Sequence, residues 1–250
     1  DQFVLAGGRA LVFIDPLAEG AGTNQGGINV EARRSDMKAL LQAWGLKLAE
    51  NVVIGDFENS LVVGMGNGRP PSRHIGLLGV PSTTMNQDDV IMSGLDSINL
   101  SSAGYLEQTE GATTSLTPLL SSSNQSEPLD ASLWESLTNP EDLMKEFTPT
   151  GKQYVLAARV QGPITTAFPK GLVVEKEVEA ETEVETEGSE ADDADSQASA
   201  SAPKTIQQTL MPTLTESKMI NVIVVADSDV LTDRLWVQIQ QFFGEKVINP

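Results

Sequence analysis

An α/β fold broken by an acidic insertion is what this chain predicts, and three features of its 250 residues carry the prediction. Short continuous apolar runs rich in β-branched residues alternate with segments of helical spacing, as strands and helices do in α/β proteins. One stretch of Glu, Thr, Ser and Ala interrupts that pattern. The strongest apolar run of the chain then follows the interruption, so folded structure is expected to resume there.

The opening, Asp1-Gln-Phe-Val-Leu-Ala-Gly-Gly8, reads as the end of an amphipathic helix running into a glycine stop. A helix without its beginning suggests a fragment of a longer protein. Ala10 to Ile14 is then a strand buried on both faces, ended by Asp15-Pro16. A Gly/Asn-rich loop leads to Ser35–Trp44, where Met37, Leu40, Leu41 and Trp44 have helical spacing, Ser35 is the expected N-cap and Gly45 the stop. Asn51 to Gly55 and Leu61 to Met65 are further strands, and the strand, helix, strand order predicts a parallel unit.

Gly64-Met-Gly-Asn-Gly68 is read as a hairpin or bend, since Pro70-Pro71 and not a helix follows it, which a phosphate loop would require. Short strands are expected at 97–102 and 116–121. Asn139 caps a short helix with Pro140 in its first position. Tyr154 to Val160 and Ile220 to Ala226 are strands, and a helix is expected from Asp227 through Phe243. Residues 175–204 are expected to be a disordered acidic linker, too polar to offset the entropy of ordering. A lone strand and helix make no core, so residues 1–174 and 205–250 are expected to form a single α/β domain.

Composition removes several functions. The formal net charge is −19, which repels a phosphate backbone and argues against nucleic acid as a partner. Eleven of the 35 acidic residues fall between Glu175 and Asp195, so much of the charge belongs to the linker. There is no cysteine, hence no thiolate nucleophile, disulfide or sulfur-ligated metal. No run approaches the roughly 20 apolar residues of a membrane span. The single histidine, His74, permits no His-pair metal site, and no Gly-x-Ser-x-Gly elbow accompanies it. A loop or surface role is favoured for it, and no cofactor is expected.

The candidate ligand site is a set of carboxylates. Asp15, Asp56 and Asp227 each stand at a strand's end, where open sheets place ligands, and Asp229 and Asp233 lie close by. They could hold a cation or a hydroxyl-rich ligand. The competing reading, which is favoured, is that Asp227 and Asp229 cap the last helix and Asp15 steadies the turn before Pro16. A candidate partner surface is the loop bearing Arg69, Arg73 and His74.

Read together, Asp1–Pro16, Leu40–Gly45, Ser101–Gly104, Pro118–Leu120, Phe147–Ala158 and Val224-Val-Ala-Asp-Ser-Asp-Val-Leu-Thr-Asp-Arg234 resemble the gliding-motility-type (GldG-like) auxiliary components of ABC transporters. The resemblance implies an extracytoplasmic domain, facing the periplasmic side, of a protein anchored in the membrane by segments outside this fragment. Its partners would be an ABC permease and ATPase, with a small polar ligand as a further option. The implied fold is similar to class I glutamine-amidotransferase-like domains, a flavodoxin-like sheet flanked by helices. Those enzymes use a Cys–His pair, so the absent cysteine implies the fold without the chemistry. The leading expectation is therefore a non-enzymatic auxiliary or ligand-binding module. The alternatives are a carboxylate-dependent hydrolase of a carbohydrate or ester, with Asp15 and Asp227 as acid and base, and a pure protein-interaction scaffold.

Overall fold

The computed structural model describes residues 1–20, 33–66, 68–178, 204–236, 238–242 and 245–249. In chain order its elements are α1 (Gln2–Leu5), β1 (Arg9–Phe13), α2 (Lys38–Ala43), β2 (Leu46–Leu48), β3 (Val52–Asp56), β4 (Ser60–Val63), β5 (Ser72–Pro81), β6 (Ser97–Ser101), β7 (Leu106–Gln108), β8 (Ser115–Ser121), β9 (Ser126–Asp130), β10 (Val155–Thr165), β11 (Leu172–Val178), β12 (Lys204–Leu210), β13 (Glu216–Val225), β14 (Gln238–Phe242) and β15 (Glu245–Asn249). It is a mixed α/β structure with few helices and several sheets. No described helix is long and apolar enough to cross a membrane.

The chain divides into two units: residues 1–167 with 214–250, and Phe168–Thr213. The smaller unit is the antiparallel hairpin of β11 and β12. Of the acidic segment expected at 175–204, residues 175–178 and 204 lie in these strands. Residues 179–203 lie outside the described residues.

In the larger unit a six-stranded sheet has the order β1-β13-β10-β7-β2, with β8 also paired to β10. Its only parallel pair among the described residues is β1 with β13. Alternate residues of a strand face opposite ways, and this sheet is apolar on both faces. One face sends Val12, Val222, Val224, Ala158 and Val160 against Val4 and Leu5 of α1 and Leu41 and Trp44 near α2. The other sends Phe13, Ile223, Val225 and Ala157 toward Leu78, Val80, Leu100, Leu119 and Leu120. A third core gathers Leu17, Val53, Ile75, Leu129, Trp134 and Leu143.

The expected parallel strand–helix–strand unit does not form. β13 takes the place beside β1, while β3 pairs antiparallel with β9 in a separate sheet. The reason lies in packing: β3 is covered on both sides, with Ile54 in the second core and Val53 in the third, so it divides two cores instead of extending the first sheet. The helix expected at 35–44 begins later. Met37, not Ser35, is the cap residue of α2, because the Ser35 hydroxyl instead accepts the backbone N–H of Asp15 at 3.0 Å. Gly45 ends α2 as expected, with φ +77, and a Cβ there would stand 2.5 Å from Thr114 Oγ1.

The last expected helix is also replaced. Two 3₁₀ turns, Asp229–Leu231 and Asp233–Leu235, precede strand β14. Polar side chains that bond to nearby backbone compete with helix formation, and here the aspartates are committed to other loops. Pro140–Met144, in contrast, is a 3₁₀ turn with the predicted cap, Asn139 accepting the N–H of Glu141. The glycine-rich segment 64–68 lies between β4 and β5, which form the expected antiparallel hairpin.

Candidate functional site

Because β1 and β13 run parallel, with Phe13 opposite Val225, their carboxyl ends lie side by side and the residues two steps beyond are Asp15 and Asp227. Asp229 follows directly. One carboxylate oxygen from each of the three lies within 4.8 Å of the others, and all three side chains are buried, with exposures of 0%, 0% and 1%. The sequence argument from strand ends thus brings three of its five aspartates together.

Each carboxylate oxygen in the cluster receives a hydrogen bond. Asp15 Oδ1 accepts the Leu17 N–H at 2.8 Å, and Oδ2 accepts both the N–H and the hydroxyl of Ser228 at 2.8 Å. Asp227 Oδ2 accepts the Ser101 N–H at 2.7 Å and Oδ1 the Val230 N–H at 3.1 Å. Asp229 accepts the N–H groups of Glu19 and Gly20 at 2.8 and 2.7 Å. Turn and cap duties are therefore real for Asp15 and Asp227, yet most of these bonds join segments far apart in the chain.

A second ring surrounds the cluster. Glu19 Oε1 accepts from the hydroxyls of Ser101 and Ser102, and Arg234 reaches Glu19 at 3.3 Å and Asp229 at 3.6 Å. Sequence reasoning missed Glu19, Ser101, Ser102, Ser228 and Arg234. Only Ser228, between two aspartates, carries a local signal; the others arrive through the end of β6 and the residue after it and through the loops after β1 and β13.

Burial sets the electrostatics. It pushes the Asp15 carboxyl up to about 6, the hydrogen bonds from Ser228 and Leu17 opposing it and the charge of Asp229 adding to it. Asp227 is raised well above the carboxylate range, first by burial and then by the neighbouring charge of Asp15. Asp15, Asp227 and Asp229 are the described residues that could hold a cation, but Ca²⁺ takes about six to eight oxygens. What the arrangement does in itself is clasp three loops at one end of the sheet.

The remaining predicted residues stand elsewhere. Asp56 is fully buried at the end of β3 and accepts four hydrogen bonds, from the N–H and Nδ2 of Asn59 and the N–H and hydroxyl of Ser123. Asp233 is exposed on the second 3₁₀ turn and outside the cluster. Arg69, at the β4–β5 turn, is exposed and donates to the Met65 carbonyl. Arg73 lies within β5, its guanidinium 4.8 Å from the Phe57 ring centre and bonded to the Phe57 carbonyl and Ser60. His74, expected in a loop, is half-buried in β5; its Nδ1 accepts the Gly76 N–H, and burial lowers its pKa. Strand pairing with β4 explains the difference, since Leu61 is the register partner of His74.

Residues 1–250 match the family described as "ABC-type uncharacterized transport system", a family of ABC-transporter auxiliary components. The chain belongs to that family. No curated protein and no solved structure matches it. The match runs through the whole ABC auxiliary chain, so the carboxylate clasp and the sheet beneath it lie inside the family's region.

Proposed function

We propose that this chain is a non-enzymatic module of an ABC transport system, of the gliding-motility type, that faces the extracytoplasmic side and acts by contact with the permease and ATPase. Family membership supplies the transport context. The observation that carries the non-enzymatic reading is that all six oxygens of Asp15, Asp227 and Asp229 accept hydrogen bonds from within the fold. A hydrolytic pair needs an acid and a base open to substrate, spaced roughly 5–9.5 Å apart for glycosides; Asp15 and Asp227 are closed to solvent. The same burial disfavours a small polar ligand at the cluster and favours a scaffold. A flavodoxin-like or amidotransferase-like ancestry is part of the proposal, supported by the parallel β1–β13 pair with a carboxylate after each strand. The exposed turn bearing Arg69 is the proposed contact with the transporter, with Arg73 and His74 holding its base in the sheet.

Affinity purification of the tagged full-length protein from native membranes tests the assembly. Permease and ATPase subunits at fixed stoichiometry are the expected result, weakened by Arg69→Glu. Their recovery only at the level of an unrelated membrane protein overturns it, and a topology reporter in the domain reads the side of the membrane.

A further inference from the structure

The clasp is closed, but a cavity of about 710 Å³ opens on the second face of the six-stranded sheet. Its size falls within the ~300–1,000 Å³ of sites that take a single small ligand. Leu11, Ile223 and Val225 form part of its floor, and Val90, Leu231 and Trp236 part of its walls. Several of these are unusually open for apolar side chains: Leu11 is 57% exposed, Val90 82%, Leu231 63% and Trp236 48%. Contiguous exposed apolar surface of this kind marks a binding site more often than scattered single residues do.

Polarity along the groove is ordered. Arg9 and Asn221 are register partners at one end of the β1–β13 pair, followed by Leu11 with Ile223 and then by Phe13 with Val225. From Arg9 to Phe13 the floor runs about 13 Å. The other guanidinium of the groove is already committed: Arg159 grips Asp89 with two bonds of 2.7 Å and donates to Asn221 Oδ1 at 2.8 Å. Arg9 makes no ion pair or side-chain hydrogen bond among the described residues. An uncommitted cation at one end of an apolar trough is complementary to one ligand shape, an anionic head on an apolar chain.

We propose that this groove binds a single-chain acyl carboxylate, its head at Arg9 and its chain along Leu11, Ile223 and Val225. On a chain of net charge −19 an anion is held there only by that local cation, so head-group charge decides the affinity. The site goes beyond the auxiliary role and stands apart from it, since it is read on purified protein without transporter subunits.

Calorimetric titration of the purified, delipidated chain tests the site, with dodecanoate and dodecyltrimethylammonium below their micellar concentrations and dodecanol below its solubility limit. One dodecanoate per chain is expected, bound about two- to fivefold more tightly than dodecanol. Arg9→Glu removes that preference and leaves dodecanol binding unchanged; Leu11→Asp, at an exposed position, weakens both by about tenfold or more. Melting curves confirm that each variant is folded. Equal affinity for the cationic and anionic amphiphiles, uptake of several molecules without saturation, or no binding overturns the proposal. So does sedimentation showing a dimer that Leu11→Asp dissolves, which would make the groove an interface between copies.

Discussion

Mild acid should stabilise this fold through the buried carboxylates, and Asp15→Asn isolates the effect. The Asp15 carboxyl titrates at about 6 in the fold against an ordinary 3.8. Between those values the folded chain holds a proton that the unfolded chain has released. The stabilisation is therefore complete below 3.8 and is lost as pH rises through 6. At ~1.4 kcal/mol per pKa unit the whole effect is about 3 kcal/mol, of which about 1.4 kcal/mol develops between about pH 5 and 7.5. Asp227, raised by burial and by Asp15, acts in the same direction. His74 acts against them: burial lowers its folded pKa below 6.5, so as pH falls through 6.5 the unfolded chain gains its proton first and stability declines.

Comparing parent and variant removes the histidine contribution, which both share. Urea unfolding followed by tryptophan fluorescence at several values between about pH 5 and 7.5 keeps the measurements above the sequence pI of about 4.3. Asp15→Asn should flatten the pH dependence by about 1.4 kcal/mol over that range. The variant also leaves a donor of Leu17 or Ser228 unpaired, at ~1–3 kcal/mol, but this cost is nearly independent of pH. Equal pH slopes in the two proteins would refute the assignment of a buried, proton-holding Asp15.

Asp56→Ala leaves four donors of Asn59 and Ser123 without their acceptor and should cost about 3–5 kcal/mol, with Asp56→Asn intermediate. Urea midpoints in any other order contradict the role given to this side chain. Gly76→Ala places a methyl 2.4 Å from Trp134 Cζ2, an overpacking expected to cost ~1–3 kcal/mol and to shift the Trp134 emission. An unchanged melting temperature and spectrum would contradict that close approach.

The strand positions were legible because a buried strand needs only a local apolar run. Ala10 to Ile14 and Ile220 to Ala226 were placed within a few residues of β1 and β13. The helix expected from Asp227 is replaced by two 3₁₀ turns and β14; Asp229 and Asp227 accept backbone N–H groups of distant loops, partners that no local pattern shows. The rule that ligands gather at strand ends points to Asp15, Asp227 and Asp56, and proximity in sequence adds Asp229 and Asp233; the fold gathers Asp15, Asp227 and Asp229 and places Asp56 and Asp233 elsewhere. Glu19 and Arg234 were invisible, since each is an ordinary charge until β1 and β13 bring their loops together.

By itself the sequence determined the absence of thiol chemistry, the places where strands start and glycines stop helices, and the candidates among the acids, all properties of neighbouring residues. Only the tertiary structure decided which strands pair, that the three clustered carboxylates are closed and fully bonded, and that the open surface is apolar with Arg9 at its end. Register and burial arise from contacts between segments up to about 200 residues apart, as between Arg9 and Asn221. Such contacts are chosen by the packing of both faces of a sheet at once, and no single segment carries that information.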